Sequence, residues 1–197
     1  MNMEKISIDI AKIHLENMVD DMQDISCPEY LDERKIVNNI QNGFIILTNL
    51  ITFFESLLNT IISNCMLCNS EIILKMSIEE KIEIICMHYK VDKQRIKGIH
   101  GWEVFKSINK IRNTLVHYKE SYICESMGLQ DFKIENISVK SYFVKSNFEQ
   151  LIMQIEKYAT NISEILGLKI KSDVKAIECD GKDGFIHYIY DEVEPLS

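Results

Sequence analysis

Apolar residues recur along this chain at the three- and four-residue spacing of helices rather than at the alternation of strands. Ile6, Ile10, Ile13, Met18 and Met22, with His14 among them, share one side of residues 4–24, with acids on the other, which predicts a first helix. Ser26-Cys27-Pro28-Glu29 breaks it. Asp32 to Cys68 predicts a long second helix, broadly apolar and so deeply packed, with Gly43 marking a bend. Ser77-Ile78-Glu79-Glu80 reads as a capping box, Ser77 as the cap and Glu80 reaching back, and opens a third helix that runs to Tyr89. Residues 90–101 read as a basic connector, and Trp102 to Tyr118 as a fourth helix. Residues 120–143 carry no clear period apart from a short strand signal near Ile134–Val139. The last helix runs from Val144 to Leu166 and stops at Gly167, a residue suited to a helix C-terminus.

Sequential helices with short links predict an all-α fold, an antiparallel bundle of about five helices over residues 1–167. Beyond it, Val174–Cys179 and Phe185–Tyr190 flank Asp180-Gly181-Lys182-Asp183-Gly184, which predicts a small C-terminal β-hairpin within an acidic appendage, residues 168–197.

With 197 residues, 46% hydrophobic and 26% charged, the chain suits one soluble domain. Its start lacks the basic region, apolar block and small-residue cleavage site of a signal peptide. Phe44 to Ile62 is apolar enough to mimic a membrane span, yet it contains Asn49, Glu55 and Asn59. A mid-span Glu costs about 2.5–3.5 kcal/mol on insertion scales. A buried bundle helix in a cytoplasmic protein without a membrane partner is the expectation. Six cysteines show no regular framework and read as reduced. Cys65 and Cys68 with Cys86 and His88 suggest zinc only weakly, because Cys86 and His88, two apart on a helix, point to different sides. No metal or other cofactor is expected.

The net charge of −8 argues against a protein that grips nucleic acid over its whole surface. Residues 90–119 oppose that balance, with eight Lys and Arg against Asp92 and Glu103, while residues 1–33 and 172–197 are strongly acidic. The basic segment is either a solvated face or a local anion site on an acidic body.

Within it, Arg112-Asn113-Thr114-Leu115-Val116-His117 stands out. A guanidinium suits a phosphate, and an imidazole moves a proton near neutral pH. At about 100° per residue, with Arg112 at zero, Asn113 falls near 100° and His117 near 140°, while Asn109 lies near 60°. Val104, Phe105, Ile108, Ile111, Leu115 and Tyr118 centre on the other side, so a polar strip runs beside the core and could line a cleft or a dimer interface. A plain structural reading is also open, in which Arg112 pairs with Glu55 and His117 interacts with the helix dipole.

Ile111-Arg112-Asn113 followed by Leu115-Val116-His117-Tyr118-Lys119 resembles the signature of the HEPN superfamily: an arginine, a polar residue, and a histidine after a few positions, on a late helix of a small bundle. Phe54-Glu55-Ser56-Leu57-Leu58-Asn59 is similar to the Glu/Asn-bearing second helix of many members, and the resemblance covers roughly residues 4–166. It implies a metal-independent endoribonuclease of toxin, phage-defence or stress type, acting as a homodimer whose two motifs form one composite site. His117 would transfer protons, Arg112 would hold the scissile phosphate, and Asn113 would orient either. Glu55, Asn59 and Asn109 would support them, with Glu55 pairing with Arg112, and Lys106, Lys110 and Lys119 would contact RNA. Lys119 stands where members silenced by a nucleotidyltransferase partner carry tyrosine, although an antitoxin or another regulator remains an implied partner class. The alternative is a non-catalytic HEPN module that binds a nucleotide or a protein.

Overall fold

The computed structural model describes residues 3–20, 29–65, 72, 75–117, 133–134, 137–169 and 194–195. It is all-α apart from two-residue strand pairs. In chain order the elements are α1 (Met3–Glu16), α2 (Glu29–Cys65), α3 (Ile78–Tyr89), α4 (Lys93–Lys97), α5 (His100–His117), β1 (Lys133–Ile134), β2 (Ile137–Ser138), α6 (Val139–Tyr142), α7 (Lys145–Leu166), β3 (Leu168–Lys169) and β4 (Glu194–Pro195). β1 pairs antiparallel with β2, and β3 with β4. The expected hairpin strands, Val174–Cys179 and Phe185–Tyr190, lie outside the described residues.

The first helix is shorter than its apolar period predicts. α1 stops at Glu16, and the Asn39 side chain takes over the next backbone groups. Its amide accepts from Val19 N at 3.2 Å and donates to Val19 O at 2.9 Å, while Asn38 donates to Asn17 O. Asn39 also donates to Phe143 O at 2.7 Å, tying this turn to the segment that leads into α7. A fully buried amide is stable there because each of its polar atoms has a partner.

α2 is the central element, and Ile46, Leu47, Leu50, Phe54, Leu58 and Ile62 on it are buried. By length and composition its stretch Lys35–Ser63 would also suit a membrane crossing, and half of its 18-residue apolar window is buried in the bundle. α2 runs through Gly43 as helix. The glycine there serves close approach, since an added Cβ would lie 2.5 Å from Phe143 Cδ1 and 2.7 Å from Phe148 Cζ. His14–Asn42 and Val19–Asn39 contacts set α1 antiparallel to α2, and Lys12–Glu156 and Lys145–Val19 contacts set it antiparallel to α7. α2 and α7, by contrast, run parallel, because Gly43 meets Phe148 and Phe54 stacks on Tyr158. The bundle therefore departs from a simple up-and-down order.

Ser77 and Glu80 form the expected capping box at the start of α3. The supposed connector is partly helical: Asp92 caps the one-turn α4, and α5 begins at His100, two residues before the expected start. α5 lies close on α7 at Gly101, where a Cβ would come within 2.4 Å of Tyr158. Tyr158 Oη donates to Ile96 O at 3.2 Å, and burial pushes its phenol upward. Phe54, Phe105, Trp102 and Tyr158 form an aromatic cluster that joins α2, α5 and α7. Gly167 ends α7 in the left-handed region at φ 67°, as its position predicts. Leu168 beyond it is still part of the core.

Candidate functional site

α5 carries the motif because its two faces differ in chemistry. Val104, Phe105, Ile108 and Ile111 are buried, and Leu115 is half-buried against them. Arg112 comes next to this apolar face and is half-buried. Its Nη1 donates to Asn113 Oδ1 at 2.8 Å, a contact between sequence neighbours that steadies the guanidinium. Among the described residues its buried Nε has no hydrogen-bond partner, and no carboxylate pairs with it. A buried donor left unmatched costs about 1–3 kcal/mol. His117 is the last residue of α5, and Val116 just before it is 51% exposed. The final turn of α5 thus offers apolar surface to solvent beside the motif.

Glu55 pairs with Lys81 rather than with Arg112. Its Oε1 accepts from Lys81 Nζ at 2.6 Å, and Lys81 is completely buried while Glu55 is 41% exposed. The acid on the polar side of α2 is therefore engaged by α3. Asn59 Oδ1, one turn further along α2, is buried and has no hydrogen-bond partner among the described residues, and the same holds for Thr48 Oγ1. Asn109 is half-buried on α5. Lys106 is exposed and pairs with Glu103 at 2.8 Å, and Lys110 is also exposed. Lys119 lies outside the described residues, as does Tyr118.

The basic segment is less bare than its sequence suggests. α3 supplies Glu83 to Lys93 and Glu79 to Lys97, each at 3.3 Å. Lys97 also sits over the Trp102 ring, 5.3 Å from its centroid. The cations of α4 are thus partly neutralised by α3, whereas Arg112 near the other end of α5 has no such acid among the described residues. Lys81 and the α3 carboxylates leave no sign of these roles in the sequence pattern. A lysine between Glu80 and Ile82 reads as a surface residue, and only the three-dimensional packing puts it inside.

Of the residues that suggested zinc, Cys86 is buried and His88 is exposed, edge-on to the Tyr89 ring at 5.0 Å. Burial pushes the Cys86 thiol up, away from the thiolate a metal would need. Cys65 and Cys68 add no described side chain. His14 proves to be a satisfied histidine, with Nδ1 2.8 Å from Asn42 Oδ1.

Comparison with protein-family models, curated proteins and solved structures gives no match to this chain.

Proposed function

We propose that this chain is a HEPN-type, metal-independent endoribonuclease of the toxin, phage-defence or stress class, which works in the cytoplasm as a homodimer. The observation that carries the reading is Arg112: a half-buried guanidinium held by Asn113 at 2.8 Å, without a carboxylate among the described residues, on the helix that ends in His117. A cation in that state suits an anion such as a phosphodiester. The exposed Val116 supports a dimer, since a second copy of α5 would cover it.

The chemistry follows from RNA itself, which carries its nucleophile as the 2′-hydroxyl. The 2′-oxygen attacks phosphorus, and its proton passes to His117 of one subunit acting as base. The bond from phosphorus to the 5′-oxygen breaks, and that oxygen takes a proton from His117 of the partner subunit. Arg112 stabilises the charge that develops on the phosphoryl oxygens. The products are a 2′,3′-cyclic phosphate and a 5′-hydroxyl. No step calls for a metal. Cleavage of an all-ribose strand in chelator, with an otherwise identical 2′-deoxy strand left intact, tests this chemistry. Cutting of the deoxy strand overturns it.

One observation favours the alternative, a non-catalytic HEPN module that binds a nucleotide or a protein: Glu55 is occupied by Lys81, so Arg112 lacks the acid expected to fix it. Binding of a nucleotide or of a protein partner, without RNA scission, would be its signature.

A further inference from the structure

A groove of about 520 Å³ runs between the first turns of α3 and the side of α5. That is the size range of small-molecule sites. Ser77, Glu79 and Glu83 line it from α3, and Trp102, Lys106 and Asn109 from α5. The α5 residues are spaced four and three apart, and the same ridge continues by four to Asn113 and by four more to position 117. The groove is therefore the upstream end of the strip that carries the proposed site. From Asn109 to Asn113 is one helical turn, about 6 Å along the axis.

The two ends of this strip differ in charge. Arg112 gives the downstream end a cation, while Glu79 and Glu83 rim the groove. Both acids are exposed, and their contacts to Lys97 and Lys93 are long, at 3.3 Å. Exposed pairs of this kind are weak and easily exchanged. Glu80 differs. Its carboxylate is committed to the Ser77 hydroxyl and backbone N–H, both at 2.7 Å, and these bonds hold it below the usual carboxylate range. Glu79 Oε2 and Glu83 Oε1 are held only by these weak pairs, so Glu79 and Glu83 are the carboxylates that can release both oxygens to a ligand. Such carboxylates, once released from their lysines, attract a neutral base with N–H donors.

We infer that the groove is a nucleobase subsite selective for guanine, seated next to the phosphate held at Arg112. Guanine offers two parallel N–H donors on one edge, which match the two oxygens of one carboxylate. Its O6 and N7 accept from a lysine or an amide, here Lys106 or Asn109. Uracil has one N–H between two carbonyls, which the carboxylates repel. The subsite's place in catalysis rests on the nuclease reading, but its binding of a base does not.

Trp102 is the only tryptophan of the chain and lines the groove, so its emission reports occupancy. Titration of the full chain with guanosine is expected to give a saturable change in that emission, and uridine none. Glu83→Gln is expected to weaken guanosine about tenfold or more. Equal responses to both nucleosides, no response to guanosine, or an unchanged guanosine affinity in Glu83→Gln each overturn the subsite. A response to an oligolysine peptide alone also overturns it and assigns the groove to a basic protein partner. No arm requires RNA cleavage, so failure of the subsite and failure of the nuclease reading are seen separately.

Discussion

Glu55 Oε1 lies 2.6 Å from Lys81 Nζ, and this contact makes the polar side of α2 a partner of α3 rather than of Arg112. A lysine with no exposed surface needs such an acid, since an unpaired buried ammonium is strongly disfavoured. Glu55→Ala should lower stability by about 1–3 kcal/mol, less than for a fully buried pair because Glu55 is 41% exposed. Lys81→Met alone should cost less, because it removes the buried charge and keeps the volume. The double variant should then be more stable than Glu55→Ala. Urea midpoints of the four proteins give the coupling, and additive effects would show that the pair does not interact.

Asp20 caps a helix 126 residues away. Its Oδ1 accepts from Ser146 N at 2.6 Å, at the start of α7, where the local N-cap residue Val144 has no side chain able to accept. Asp20→Ala should cost about 0.5–2 kcal/mol, and Asp20→Asn much less, because an amide oxygen also accepts. Thermal unfolding of both variants reads this directly. Equal losses would point to charge rather than to the hydrogen bond.

Gly101 is needed for the close approach of α5 to α7. A Cβ there would stand 2.4 Å from both Cβ and Cγ of Tyr158, atoms near the backbone that cannot swing aside. Helix propensity alone favours alanine by about 1 kcal/mol. The clash should prevail, with a net loss of about 1–3 kcal/mol in Gly101→Ala. A stabilised variant in denaturant unfolding would show that α5 is free to shift outward.

The capping box of α3 carries an acid dependence. Glu80 titrates below its ordinary value of 4.5 because Ser77 bonds to its charged form. A carboxyl lowered in the folded state stabilises fully above its unfolded value and loses that contribution as pH falls through the folded value. Stability should therefore fall from about pH 5 downward, with a shallower fall in Glu80→Gln, whose amide does not titrate. Urea midpoints measured across that range test the slope, and identical slopes for the two proteins would exclude the Glu80 contribution.

The helices themselves were legible from local pattern. Ser77 and Glu80 announced α3, and Gly167 announced the end of α7, because caps are written in adjacent residues. What escaped was what depends on distant partners. The end of α1 is set by Asn39, the start of α7 by Asp20, and the burial of Lys81 by Glu55. None of these pairs leaves a periodic trace. Helical geometry put Arg112 at the edge of the apolar face, and it is half-buried there, but the same geometry could not show that Glu55 was already taken. Nor could it show that α3 turns two carboxylates toward the basic segment.

Arg112, Asn113 and His117 are proposed to cleave RNA without metal. Purified wild-type chain and the His117→Ala variant, incubated with single-stranded RNA in chelator, test it most directly, with product ends read by mass. The wild type is expected to leave 2′,3′-cyclic phosphate ends, and the variant to cleave at least about 100-fold more slowly. Equal cleavage by both proteins, or intact RNA with both, would contradict it.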